Sequence, residues 1–161
     1  QNSHDLHNII YDYCLAYYYS EEFKRKEGMT DRLKSQINHG KNIHTKEYQL
    51  ALNEQVLVRE KMDQLLRNYD VIVSLSTAGQ APQLGEIEKP DPSLIWTLSS
   101  LPALNVPAFI SPEGMPFGLQ IVSRRYSDLL IIDLVKKLTE YEMIPSTNNP
   151  LIDLNKIISK K

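Results

Sequence analysis

The sequence predicts an α/β fold in which a helical amino-terminal part precedes part of a mixed β-sheet with covering helices. Apolar residues recur at three- and four-residue spacings through the first 68 positions, as in amphipathic helices. Short β-branched and apolar runs begin abruptly after Tyr69, which is typical of strands. We therefore expect the 161 residues to form a single domain or part of one, with 1–68 mainly helical, 69–142 built of strands and helices, and 143–161 a tail.

The first predicted helix runs from about residue 4 to residue 26. Its charged continuation after Ser20 is expected to be solvated, because charged side chains there interrupt the apolar stripe. The tyrosines at 17, 18 and 19 cannot all face a core, since consecutive helical residues point in different directions. The predicted inward residues are Leu6, Ile9, Ile10, Tyr13, Cys14 and Tyr17.

Two more helices are predicted before the strands. Thr30 or Asp31 caps a short helix over residues 32–38, and Gly40 is expected to end it. Thr45 then caps a long helix that continues to about Asn68. Its predicted apolar stripe consists of Tyr48, Leu52, Leu57 or Val58, Met62, and Leu65 or Leu66.

The first predicted strand occupies residues 70–75, and its apolar centre at 71–73 favours cover on both faces. Residues 76–92 contain five glycines and prolines and should form a long irregular loop, a kind of segment that is often functional. Residues 93–100 are predicted to form a short helix entered through Pro92.

A brief strand at 103–109, a turn at 111–114 and a strand at 117–123 follow. Gly118 lies inside the last strand, where a glycine allows close backbone approach. Residues 126–141 have helical periodicity. The predicted inward residues of this helix are Leu129, Leu130, Leu134, Val135 and Leu138.

Composition excludes several classes of protein. A net charge of -2 gives no electrostatic reason to expect nucleic acid or an anionic membrane as a partner. No apolar run approaches the ~18 residues of a transmembrane helix, and no signal peptide is visible. The single cysteine excludes an internal disulfide and favours a reducing compartment, so we expect a cytoplasmic protein. Because the sequence opens on Gln1 rather than methionine, we expect a processed or excised piece.

No catalytic motif stands out. His4 and His7 share a helix face, and His39 and His44 flank Gly40, but neither pair has a clear third ligand. We therefore expect surface histidines and no metal. Cys14 is expected to be a structural thiol, since no cationic group is placed to stabilise its thiolate.

The pair Ser99 and Ser100 requires separate consideration, because catalytic serines can occur in such pairs. An oxyanion site needs glycines that let backbone N–H groups approach the reacting oxygen, and here the neighbours are Leu98 and Leu101. A role at a helix end or in packing is favoured. Lys89, in the long loop, is expected to be solvated rather than to act as a base.

Taken together, these segments resemble the carboxyl-terminal part of the amidase signature family, which hydrolyses carboxamides with a serine nucleophile. The similarity covers about residues 30–142. In the helical part, residues 31–40, Tyr48 and Arg59 match the family. The two strand segments 69–76 and 114–122 match, as does the start of the last helix at 128–130. Between the strand segments, the matching residues are Ala81, Pro82, Gly85, Asp91, Pro92, Trp96 and Thr97. Leu75 stands where the family usually has proline, and Ser100 where it usually has glycine.

The resemblance implies a catalytic centre of two serines and a lysine within a glycine- and serine-rich segment that this sequence lacks. It also implies no metal or organic cofactor, and it assigns no catalytic residue to this chain. The loop after the first strand and the segment before Leu101 would contribute to the acyl pocket. The implied pocket candidates are Ser76, Thr77, Trp96, Thr97 and Ser100.

Two hypotheses follow. In the first, the chain is the carboxyl-terminal part of an amidase-type hydrolase, inactive by itself, whose complete form binds a small carboxamide. In the second, it is a catalytically dead module that binds a small ligand or a partner protein. Strands taken from a larger sheet leave unpaired edges, so we expect the chain to form a homodimer or to bind the missing amino-terminal catalytic part.

Overall fold

A computed structural model of the chain describes residues 2–25, 28–86 and 92–144. The chain divides into two compact units, Gln1–Met62 and Asp63–Lys161. Lys89 and nearly all of the predicted tail lie outside the described residues.

The first unit is helical. Its elements are α1 (Ser3–Tyr18), α2 (Ser20–Arg25), α3 (Asp31–Asn42) and most of α4 (Thr45–Leu65). Asn2 and Thr30 cap α1 and α3 by accepting hydrogen bonds from the backbone N–H groups of His4 and Leu33. The prediction of helices here is confirmed, although the first one is interrupted at Tyr19, whose N–H still donates to the carbonyl of Leu15.

The inward face of α1 differs from the predicted one. Leu6, Leu15 and the carboxylate-bearing Asp12 are buried, whereas Tyr17 is exposed. Tyr13 is only half-buried and stacks on Tyr48 of α4 with ring centroids 4.1 Å apart. Helical periodicity therefore identified the helix, but the packing of α1 on α3 decided which stripe is covered.

Gly40 explains that packing. It does not end α3, as predicted, but lies buried inside the helix, which continues to Asn42. A Cβ atom at this position would lie 1.9 Å from the backbone carbonyl oxygen of Asp12. The glycine is required here because the backbones of α1 and α3 approach each other too closely for any side chain.

The structure decides between Leu57 and Val58, and between Leu65 and Leu66, for the apolar stripe of α4. Val58 is half-buried and Leu66 fully buried, whereas Leu57 and Leu65 are exposed. The helix ends at Leu65 rather than near Asn68, because the next N–H groups bond three residues back in a tighter turn.

The second unit contains three strands and two helices, α5 (Leu94–Ser99) and α6 (Asp128–Glu140). The strands are β1 (Val71–Leu75), β2 (Ala103–Ile110) and β3 (Pro116–Ser123). Both strand pairs are antiparallel, and β3 lies in the centre of the order β1-β3-β2. The predicted α/β class is confirmed.

The core of the second unit lies between α6 and one face of the sheet. Its buried members are Val106, Ile121, Ile131 and Ile144. Leu129 was predicted to point inward but is 81% exposed, and Ile131 is buried instead. Residues two positions apart on a helix point in directions about 200° apart around its axis, so only one of Leu129 and Ile131 can face the sheet.

The first strand is less covered than predicted. Val73 is 56% exposed, although Ile121, its register partner on β3, is fully buried. The helix α6 packs against β2 and β3, and β1 forms one edge of the described sheet. The expectation of cover on both faces of residues 71–73 was therefore wrong.

Candidate functional site

The second unit contains a groove of about 760 Å³ at the end of β1. One wall is the loop 76–86, and the other consists of residues from β2 and β3. The strand residues that line it are Asn105, Pro107, Pro116, Phe117 and Gly118.

Ser76 anchors the loop to β3. Its backbone N–H donates to the carbonyl oxygen of Gly118 at 2.9 Å. Its Oγ accepts a hydrogen bond from the Gly118 N–H at 3.0 Å. The start of the loop is therefore fixed to the central strand through the N–H and the carbonyl group of Gly118.

Gly118 brings two polar side chains together. A Cβ atom there would lie 1.9 Å from Oδ1 of Asn105 and 2.8 Å from Oγ of Ser76. Close backbone approach was predicted at this glycine, whereas side-chain oxygens of the groove occupy the space.

The rest of the loop carries its own hydrogen bonds. Thr77 Oγ1 donates to the carbonyl oxygen of Gly79 at 2.5 Å. The N–H of Gln83 donates to Oε2 of Glu86 at 3.2 Å, and the N–H of Glu86 donates to the carbonyl of Gln83 at 3.0 Å. Glu86 is the one ionisable residue among the described residues that line the groove. The groove therefore carries acceptors and a negative charge, which disfavours an anionic ligand.

An apolar surface lies beside these polar groups. Pro107, Pro116 and Phe117 line the groove, and the ring of Phe117 stacks on that of Phe109 with centroids 5.1 Å apart. An apolar surface with a few convergent polar groups is the usual form of a small-molecule site.

The structure places the predicted pocket candidates in two locations. Ser76 and Thr77 line the groove. Trp96, Thr97 and Ser100 belong to α5 and its carboxyl-terminal cap, and they are not among the groove-lining residues. Trp96 is half-buried, and no described residue accepts a hydrogen bond from its buried Nε1.

Ser99 and Ser100 end α5, so the predicted helix-terminal role is confirmed. Ser99 is fully buried. Ser100 has a φ of 57°, in the left-handed region, and its N–H donates to the carbonyl of Thr97 at 3.1 Å. The N–H of Leu101 reaches back to the carbonyl of Trp96 at 3.0 Å, which closes the helix end. The usual family glycine fits this conformation better than serine does.

An ion pair at the end of β3 has a structural role. Two nitrogens of the Arg125 guanidinium donate to the carboxylate of Asp63, Nε to Oδ1 at 3.3 Å and Nη2 to Oδ2. The hydrogen bond and the charge of Asp63 raise the pKa of Arg125. Neither residue lines the groove.

The histidines and the cysteine belong to the first unit. Nδ1 of His39 lies 2.7 Å from Oδ2 of the buried Asp12, and His7 stacks on Tyr11. Cys14 is half-buried with Sγ 3.8 Å from the hydroxyl of Tyr48, and this contact raises the pKa of Tyr48. Within the described segments, no three His, Cys, Asp or Glu residues are grouped as metal ligands. None of the described helices has the length and hydrophobicity needed to cross a membrane.

Sequence reasoning missed Asn105 and Glu86 as groove residues. Asparagine is depleted in strands, so its presence between Leu104 and Val106 in a predicted strand was an available signal for Asn105. No comparable signal existed for Glu86, because the course of an irregular loop is set by its contacts.

Comparison with known proteins identifies the relatives of this architecture. The family model described as Amidase matches residues 6–132. A glutamyl-tRNA(Gln) amidotransferase subunit from Exiguobacterium sibiricum is 28% identical over 124 residues, which cover 68% of this chain and 25% of that protein.

Solved structures give the same fold. A crystal structure described as an amidase superposes with a TM-score of 0.74 at 23% identity, covering 83% of this chain and 34% of that one. Allophanate hydrolase from Kluyveromyces lactis superposes with a TM-score of 0.70 at 18% identity, covering 85% and 25% of the two chains. The chain thus spans about a quarter of the length of its curated relative and about a third of the amidase structure.

Proposed function

The chain belongs to the amidase family, and from this premise we propose that it is the carboxyl-terminal part of a hydrolase of carboxamide carbon–nitrogen bonds. The family match over residues 6–132 carries the proposal. The chain supplies scaffold and part of the acyl pocket, and alone it hydrolyses nothing.

The chemistry would be supplied by residues outside this sequence. In the complete enzyme, a serine activated through a second serine and a lysine attacks the amide carbonyl, and the amine leaves as an acyl-enzyme forms. Water then releases the acid. Backbone N–H groups hold the negative oxygen of each tetrahedral intermediate.

The groove supports a pocket role for this chain. Its polar and apolar residues converge at the loop after β1, where the resemblance placed one pocket wall. Ser76 and Thr77 are the proposed residues of that wall. Trp96, Thr97 and Ser100 are proposed to form a second part of the wall at α5.

The sheet edges support an association. Val73 and Leu75 on β1, and Phe109 and Ile110 on β2, are exposed large apolar residues on the two outer strands of the described sheet. Such edges favour pairing with another chain. We propose that the catalytic amino-terminal part covers them in the complete enzyme, and that the chain alone forms a homodimer. The proposed location is the cytoplasm, on the strength of the single cysteine.

A serine-reactive fluorophosphonate probe tests this function. The chain alone should remain unlabelled and should not hydrolyse a panel of small carboxamides. Co-expression with the amino-terminal part of a related amidase should give a labelled complex, with the label on the added part.

Labelling of this chain alone would overturn the claim that its serines are not nucleophiles. The coding sequence upstream of Gln1 gives a second test. A Gly-Gly-Ser-Ser-Gly-like segment with an upstream lysine supports the hydrolase, whereas a start codon directly before Gln1 supports a dead binding module.

A further inference from the structure

We infer that Asn105 and Ser76 form a polar clamp that binds a neutral carboxamide group of the ligand and rejects the corresponding carboxylate. The clamp is defined as the side chains of these two residues above Gly118. The inference rests on the proposed function, because it names the group that the groove recognises.

The strand register and the anchored start of the loop bring the two side chains of the clamp together. The two side-chain oxygens fill the space that a Cβ of residue 118 would occupy. Gly118 is itself buried in the central strand, and Ser76 is tied to it by two hydrogen bonds. Ser76 is therefore held in place before binding and loses little conformational entropy when a ligand arrives.

Both side chains of the clamp have unused hydrogen-bonding capacity. The Oγ of Ser76 accepts from the Gly118 N–H, so its O–H proton is left to donate. The side chain of Asn105 belongs to an exposed residue and has no hydrogen bond to any described residue. The Asn105 side chain offers one acceptor atom and two N–H donors. Together the two side chains can hydrogen-bond both the carbonyl oxygen and the NH₂ group of a ligand carboxamide.

The hydrogen-bonding groups and the charge of the groove favour a neutral ligand group. A carboxamide presents a donor and an acceptor, whereas a carboxylate presents acceptors alone. A carboxylate has no donor for Oδ1 of Asn105, and its negative charge would be repelled by that of Glu86, which lines the same groove.

The apolar residues of the groove favour a ligand whose carboxamide is attached to an apolar group. Pro107, Pro116 and Phe117 line the groove together with the clamp. An aromatic or short aliphatic body attached to the amide would cover these surfaces. Benzamide combines both features and is a suitable probe, and benzoate has the same shape with a carboxylate.

Titration of the isotopically labelled 161-residue chain, followed by NMR, tests the clamp. Benzamide should shift the Gly118 N–H and Asn105 side-chain NH₂ signals, and benzoate should bind at least about tenfold more weakly, the factor that one hydrogen bond of ~1.4 kcal/mol supplies. Asn105→Ala should lower the benzamide association constant about tenfold. Asn105→Asp, which keeps the size but exchanges the donor for a charge, should lower it as well.

Asn53→Ala, on the exposed surface of α4, is the matched control and should bind benzamide like the wild type. The dispersion of the amide spectrum reports whether each variant is folded. Equal binding of benzamide and benzoate, unchanged affinity in folded Asn105→Ala, or no binding by the wild type would each overturn the clamp. The hydrolase proposal is decided separately by the fluorophosphonate experiment, which does not depend on Asn105.

Discussion

The two units of this chain use close packing for different purposes. In the helical unit, Gly40 lets the backbones of α1 and α3 meet, and the space is filled by a carbonyl oxygen of Asp12. In the α/β unit, Gly118 makes space for the side chains of Asn105 and Ser76 at a groove. One buried glycine thus lets two helix backbones pack closely, and the other leaves room for polar side chains beside a groove.

The units also differ in what holds them. The α/β unit has a continuous aliphatic core between α6 and the sheet. In the helical unit, aromatic and polar contacts supplement the buried apolar residues, as in the stack of Tyr13 on Tyr48 and the pair of Asp12 with His39. Stability of the α/β unit should therefore depend most on burial, and that of the helical unit on the fit between backbones.

Ile121→Ala should give the largest effect, because Ile121 is fully buried at the centre of the sheet. The expected loss in free energy of unfolding is about 2–5 kcal/mol, the usual range for such a cavity. Urea unfolding followed by the fluorescence of Trp96, the single tryptophan, measures it in this unit. Val73→Ala is the matched control, since Val73 is the exposed register partner and should change stability by less than about 0.5 kcal/mol.

Gly40→Ala should come next. Its Cβ would overlap the Asp12 carbonyl, and overpacking of this kind costs about 1–3 kcal/mol. The higher helix propensity of alanine, ~1 kcal/mol, opposes this loss. Far-UV circular dichroism during urea unfolding is the measurement, with the exposed Ser35→Ala as control. A gain in stability would contradict the assigned role of Gly40.

Gly118→Ala should be less destabilising than Gly40→Ala, because its Cβ would displace side-chain oxygens rather than a backbone carbonyl. Benzamide binding should nevertheless be lost, because both oxygens of the clamp must move. Equal losses of stability in the two variants would contradict the claim that side-chain oxygens at Gly118 move aside more easily than the backbone carbonyl at Gly40.

Ser100→Gly should stabilise the α/β unit by about 1 kcal/mol, because the φ of 57° places a serine in the left-handed region. A residue with a Cβ is disfavoured there by ~1–2 kcal/mol relative to glycine. The greater freedom of glycine in the unfolded chain reduces the gain. The midpoint of unfolding by Trp96 fluorescence checks this, and an unchanged or lower midpoint would contradict it.

The smallest effect is expected for the exposed pair of Asp133 and Lys137 on α6, with Nζ 2.8 Å from Oδ2. Hydrogen bonding and charge lower the pKa of Asp133 and raise the pKa of Lys137. The contribution of Asp133 is present above its ordinary pKa of 3.8 and is lost as the pH falls through the lowered value. That of Lys137 is present below its ordinary pKa of 10.5 and is lost as the pH rises through the raised value.

Asp133→Asn should therefore lower stability slightly at about pH 7, and its difference from the wild type should shrink at acid pH as the pH falls through the lowered pKa of Asp133. Salt should shrink the difference at neutral pH, because exposed pairs are screened. Unfolding midpoints at neutral and acid pH and at two salt concentrations measure the effect. A difference that persists in acid would assign it to something other than the ion pair.

Local patterns predicted the elements, and tertiary contacts decided their faces. The strand at 117–123 and the need for space at Gly118 were visible because glycine is exceptional within an apolar strand. The burial of Asp12 was not visible, because helical periodicity ranks a carboxylate as a surface residue while the partner His39 lies 27 positions away. Leu129 and Ile131 illustrate the same limit, since both are apolar and only the sheet selects one of them.

By itself the sequence determined the α/β class, the order of the elements and the resemblance to the amidase signature family. These features depend on residue type and short-range spacing, which a chain carries before it folds. The tertiary structure alone decided that Asn105 meets Ser76 above Gly118. Strand register and the anchoring of the loop bring these residues together, and both arise from contacts between positions distant in the chain.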